Sequence, residues 1–257
     1  MNYKLRTKHG LSLMEEVVVV AAIAILVAFG LPAVRALFRS IESEGGGKAM
    51  ISAALSTARA IAAREQRYAG VRFQNKYQQD GRGCQYMIFI INDEDMSTLG
   101  DEFRAVEGYK PMKLPDSVGV MDLMINKTVK IGSDSDIDTP EELIDTTSFS
   151  ILFSPSGKLV IHDVQTRNRD GQPTATTSKD DIFNVKSNVE IGIGMFVQDD
   201  YPSDGLDKEP SRNSFIIYDR TIFEKLNPNS RYTDYLKDLA EKEVIYINPY
   251  TGTMINK

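Results

Sequence analysis

The chain has 257 residues, 42% of them hydrophobic and 26% charged, which is ordinary globular usage and length enough for one large domain or two small ones. Its 30 Lys plus Arg stand against 36 Asp plus Glu, and the formal charge of −6 recommends neither nucleic acid nor an acidic substrate as a partner. A single cysteine, Cys84, excludes an intramolecular disulfide and any zinc site needing two thiolates from this chain, and His9 and His162 are the only histidines.

The start of the chain differs from the rest. Residues 1–10 carry Lys4, Arg6 and Lys8 with no acid, and Val17 to Val34 is a run of 18 residues without a charge. As a helix that run would measure about 27 Å, close to the hydrocarbon thickness of a bilayer. It predicts one transmembrane helix within 11–34. The basic residues before it predict a cytoplasmic N-terminus, and so a single-pass protein whose C-terminal domain lies on the far side of the membrane. A cleaved secretory signal fits poorly, because Glu15 and Glu16 sit where hydrophobicity should begin. A plain signal anchor leaves the same two carboxylates unexplained, at a cost of about 2.5–3.5 kcal/mol for a charge in hydrocarbon.

Gly10, then Leu11-Ser12-Leu13-Met14-Glu15, then an apolar helix containing Pro32, resembles the cleavage and methylation segment of type IV prepilins and type II secretion pseudopilins. The resemblance implies that a prepilin peptidase cuts after Gly10 and methylates Leu11, where the family usually has Phe. It also implies that Glu15 pairs with the new terminal amine of a neighbouring subunit, setting the axial register as a filament assembles. The pairing is physically sensible, since a buried amine cation is tolerated only with a counter-charge. Glu16 faces about 100° away and cannot share that geometry; it either meets a second partner or marks an initiating minor subunit. Pro32 either bends the helix for filament packing or is a simple kink. Cleavage would remove three cations, leaving 27 basic residues against 36 acids and a side-chain charge of −9.

Residues 35–68 read as an amphipathic stem. Ile51, Leu55, Ala58 and Ala62 recur at spacings of four, three and four, within an Ala-rich stretch of high helix propensity. Gly45-Gly46-Gly47 predicts a break at 45–47, as a soft joint or a plain loop, since three glycines cost roughly 2–3 kcal/mol in a helix interior. The remainder, 69–257, reads as a β-rich domain with polar loop insertions. Strands are predicted over 69–73, 84–91, 118–125, 148–153, 158–164, 188–197, 213–218, 243–248 and 253–255. Hairpins are expected at Ser154-Pro155-Ser156-Gly157 and Asn248 to Gly252, and a short helix over 232–242. The stretches 92–117, 132–147, 165–187 and 199–212 read as polar loops. The fold class is α+β: a long N-terminal helix, membrane-embedded in its first half, packed on an antiparallel sheet in the pilin manner.

Chemistry-bearing clusters are few. Asp134, Asp136 and Asp138 alternate and could converge on calcium, although the glycine of an EF-hand loop is absent. Asp199, Asp200, Asp204 and Asp207 are a weaker form of the same idea. His162-Asp163 lacks any nucleophile elbow, so no enzyme is expected. Cys84 opens an apolar strand and reads as a small hydrophobe. No phosphate-binding glycine loop is present.

The resemblance therefore implies a pseudopilin or minor pilin, a structural filament subunit without a cofactor, single-pass in the inner membrane with its C-terminal domain periplasmic or extracellular. Its expected partners are a prepilin peptidase, other pilin subunits and an assembly platform. A DNA-uptake minor pilin and a membrane-anchored binding module outside any filament are the alternatives. Nucleic acid is not expected, since Lys and Arg are scattered among more numerous acids.

Overall fold

The apolar stripe at Ile51, Leu55, Ala58 and Ala62 is one side of helix α1 (Glu44–Glu65), and all four residues are fully buried. The computed structural model describes residues 18–20, 44–78, 83–93, 102–122, 137, 139–171, 174, 176–200 and 207–256. The chain divides into two units, Met1–Ile41 and Glu42–Lys257. Of the first, only Val18, Val19 and Val20 are described, a helical and exposed stretch.

The second unit is built from several sheets. Strands β1 (Ala69–Asn75), β2 (Gln85–Asn92), β3 (Phe103–Ala105), β4 (Met112–Lys113), β6 (Phe149–Phe153) and β7 (Leu159–Val160) form one, in the order β3-β2-β1-β6-β7 with β4 also on β2. Every pairing in it is antiparallel, with Val71 facing Phe89 on one side and Ile151 on the other. A second antiparallel sheet has the order β14-β13-β12-β5, from β5 (Val118–Met121), β12 (Ser214–Asp219), β13 (Ile245–Ile247) and β14 (Met254–Asn256). Alternation along the strands sends Val71, Phe73, Met87, Phe89, Phe149 and Ile151 to the face that α1 covers, where Phe215, Ile217, Ile245 and Ile247 of the second sheet join the same core.

Gln85 ties the two sheets together. Its Nε2 donates to the carbonyls of Val120 and Thr147, each at 2.8 Å, and its Oε1 accepts from the Val120 N–H at 2.8 Å. The side chain thus serves the β5 backbone as a neighbouring strand would.

Two expectations are overturned. Among the described residues no helix is long and apolar enough to cross a membrane, which contradicts the single-pass inner-membrane placement. The long N-terminal helix with a membrane-embedded half is likewise not borne out. The longest described helix is α1, with 22 residues from Glu44, and it carries Lys48, Arg59, Arg64 and Glu65. Its apolar side faces the protein's own core and its other side is small and polar, so it has no apolar circumference to offer lipid. The fold is mixed helix and sheet, with several antiparallel sheets in place of one.

The three glycines at 45–47 form the first turn of α1. Gly47 is buried, and a Cβ there would lie 2.9 Å from Val118 Cγ1, so at this position glycine permits close approach of the helix to β5.

Segments read as polar loops, together with parts of the stretches read as strands over 158–164 and 188–197, make a second layer on the opposite face of the larger sheet. It comprises β8 (Asp163–Val164), β9 (Phe183–Asn184), α3 (Lys186–Glu190), β10 (Phe196–Val197) and β11 (Glu209–Pro210). Val164, Ile182, Phe183 and Phe196 pack there on Ile88, Ile90, Phe103 and Leu152. The strand expected over 188–197 is absent. Gly192 and Gly194 hold φ of +87° and +93°, which ends any extended run, and the chain turns from α3 into the two-residue β10, parallel to β9. The acidic stretch 132–147 contains helix α2 (Pro140–Thr147), closed by a reciprocal cap: Thr139 Oγ1 accepts from Glu142 N, and Glu142 Oε2 accepts from Thr139 N at 2.9 Å. Helix α4 (Arg220–Lys225) follows β12, and a π-helical turn at Tyr232–Leu236 leads into α5 (Lys237–Lys242) where one short helix was expected.

Candidate functional site

The residues carrying the prepilin resemblance, Gly10, Leu11, Glu15, Glu16 and Pro32, lie outside the described residues, and so do Asp134, Asp136 and Asp138. Among the described residues no group of three or more His, Cys, Asp or Glu is placed to hold a metal ion. Asp199 is no loop ligand: it is fully buried, with Oδ1 2.6 Å from Arg72 Nη2, and Oδ2 accepts from Thr166 N and Thr166 Oγ1, both at 2.8 Å. Burial pushes its carboxyl above the usual range against the pull of Arg72 and Thr166. Gln74 Nε2 donates to the Val197 carbonyl at 2.9 Å beside it, so the polar face of β1 meets the second layer.

His162 and Asp163 form no catalytic pair. The imidazole Nδ1 lies 2.7 Å from the main-chain oxygen of Asp163, and its ring stands against Tyr68 at 4.9 Å and Phe103 at 6.0 Å between centroids. The Asp163 carboxylate is 3.7 Å from Lys208, and Ser211 Oγ donates to the Val160 carbonyl. Cys84 is half-buried ahead of β2, its Sγ 3.5 Å from Asp116 Oδ1, rather than packed as a hydrophobe inside the strand. Asp116 is held below its ordinary pKa by the Lys113 ammonium 2.7 Å away.

Helix α1 offers a different kind of site. Its buried side fixes which residues face outward, and ahead of the exposed pair Arg64 and Glu65 at its end those are Gly45, Ala49, Ala53, Ser56, Ala60 and Ala63. Their spacing of three and four draws one stripe along the helix, about 27 Å long at 1.5 Å per residue. None is charged. The hydroxyls beside it turn back on the helix, Ser56 Oγ to the Ser52 carbonyl and Thr57 Oγ1 to the Ala53 carbonyl, each at 2.9 Å. A solvent-facing helix side ordinarily carries Lys and Glu. A smooth stripe of small residues instead permits backbone-close packing of another helix.

Arg59 fixes this helix to the rest of the unit. Its Nε donates to the Gly157 carbonyl at 2.8 Å, Nη1 to Thr251 at 3.0 Å and Nη2 to Tyr250 at 3.1 Å, so one guanidinium holds both hairpin turns.

The cap at Thr139 was readable as a Thr-Pro-Glu-Glu signature, and Arg72, a lone charge inside the apolar β1, signalled a buried partner. Nothing adjacent in sequence marked Asp199 as that partner. Comparison with protein-family models, with curated proteins and with solved structures finds no match.

Proposed function

We propose that this protein is a structural subunit of a type II secretion or type IV pilus-like filament, a pseudopilin or minor pilin. In this reading a prepilin peptidase cuts after Gly10 and methylates Leu11, and Glu15 pairs with the new amine of a neighbour. The second unit then packs on adjacent subunits through the outer side of α1. The sequence support is the run from Gly10 to Glu15. The observation on the folded unit that carries the reading is the uncharged stripe from Gly45 to Ala63, exposed along a helix that Arg59 and the core hold rigidly.

Cysteine cross-linking in producing cells tests it. In a Cys84→Ser background, Ala53→Cys and Ala60→Cys are expected to give a ladder of cross-linked multimers, and Glu15→Leu to remove it. Multimers no more abundant than from Thr177→Cys, an exposed position in the second layer, would contradict the reading.

A further inference from the structure

Besides the Arg72–Asp199 pair, two guanidinium forks join the second layer to the sheets. Arg167 Nη2 lies 3.0 Å from Glu102 and 2.8 Å from Asp200. Arg212 places Nε 2.5 Å from Asp122 and Nη2 2.8 Å from Glu209. In each fork one carboxylate comes from the sheet side, Glu102 just before β3 or Asp122 just after β5, and the other from the layer. The side chains of all four acids are buried, Asp200 the most open at 11% exposure.

Each fork therefore sets two carboxylates against one cation, out of water. Among the described residues the charges surrounding each fork do not remove the excess. Around Glu102 stand Arg167, Asp200 and Lys208, and Asp200 also faces Asp199 and Asp207. Around Glu209 stand Arg212, Arg72, Asp122 and Asp145, and Arg72 already serves Asp199 at 2.6 Å. Two like charges sharing such a site cannot both be ionised without cost, and one proton relieves it.

We propose that each fork holds one proton when closed, so that the layer formed by residues 163–171, 176–200 and 207–212 is clamped to the sheets in mildly acidic medium and lifts from them as the pH rises past neutral. Burial raises Glu102 to about 7 and Glu209 to about 8, which places both protons in that range. Lifting would uncover Ile88, Ile90 and Leu152 on the sheet and Phe183 and Phe196 on the layer. Helix α1 carries no residue of either fork and stays closed on its core. The inference is independent of the filament reading.

Hydrogen exchange read by mass spectrometry on the full chain, at pH 6 and pH 8.5 and corrected for intrinsic rates, tests it. The reporting amides are Arg167 N, which donates to Phe103 O, Phe103 N, which donates to Gln165 O, and Arg212 N, which donates to Ser150 O. Peptides covering them are expected to lose roughly tenfold or more protection at pH 8.5, while α1 and the β1–β2 pair do not. Glu102→Gln combined with Glu209→Gln is expected to abolish the difference. Equal protection at the two pH values, or a loss spread evenly over α1 and β1, overturns the proposal even if the double variant does not fold. An unchanged pH response in a folded double variant overturns it too.

Discussion

Arg59 and Thr251 stand 192 positions apart and meet at 3.0 Å, the guanidinium of α1 donating to a carbonyl in the last hairpin. The same side chain reaches Gly157 in the other hairpin, so the helix and both turns share one anchor. Arg59→Ala is expected to destabilise the protein by about 1–3 kcal/mol, because it removes three charge-assisted bonds from a partly exposed site. Arg59→Lys is expected to recover less than half of the loss, since an ammonium cannot span three carbonyls. The midpoint of urea denaturation measures both, with Arg64→Ala, whose partner is its exposed neighbour Glu65, as a control that leaves the midpoint unchanged.

The pair Arg72–Asp199 gives a sharper contrast. Both side chains are essentially inaccessible, so Asp199→Asn or Arg72→Met strands a buried charge and is expected to cost about 3–5 kcal/mol. Replacing both, Arg72→Met with Asp199→Leu, is expected to recover most of that. A double variant as unstable as the sum of the singles would place the energy instead in the bonds that Asp199 accepts from Thr166 and that Arg72 donates to Gln74.

These two arginines also mark how far the sequence could be read. The strands at 69–75, 85–92 and 149–153 were legible because Val, Ile and Phe recur there in short runs bounded by turn residues. The helix was legible from Ile51 onward because its apolar residues keep a period near 3.6, but its first turn at 45–47 was read as a break. The second layer was not legible, because beside its apolar contacts it is fastened by polar side chains: Asp199 reaches Arg72 across 127 positions and Gln198 reaches Asn168 across 30, in segments much of whose composition is that of solvated loops. The outward side of α1 shows the same limit, since an alanine in a helix window reads equally well as core or surface until burial separates Ala54 and Ala58 from Ala53 and Ala60.

Glycines close together in sequence are expected to respond in opposite directions. Gly45 is exposed in the first turn of α1, and Gly45→Ala should stabilise by up to about 0.5–1 kcal/mol. Gly70 in β1 is the reverse case: a Cβ would fall 2.1 Å from the Ile151 carbonyl oxygen and 2.6 Å from Leu152 Cδ2. Gly70→Ala is expected to cost about 2 kcal/mol or more, by strand displacement, and thermal unfolding of the two variants checks the signs.

Stability should fall as the pH rises. Glu209 is lifted by burial from an ordinary 4.5 to about 8, so the folded chain keeps a proton that the unfolded chain releases. That contribution is complete below about pH 4.5 and is lost as the pH climbs through about 8. The melting temperature is expected to drop by roughly 5–10 °C between pH 6 and pH 8.5. Glu209→Gln, neutral at every pH, should flatten the curve over that interval.

The central claim is that the chain is processed and assembled as a pilin-like subunit, and the mass of its N-terminal peptide tests that most directly. After co-expression with a prepilin peptidase, the account expects a chain that begins at N-methylated Leu11 and has lost residues 1–10, with Gly10→Val left uncut. A chain that keeps Met1 to Gly10 in the presence of an active peptidase, or one that begins elsewhere than Leu11, would contradict it.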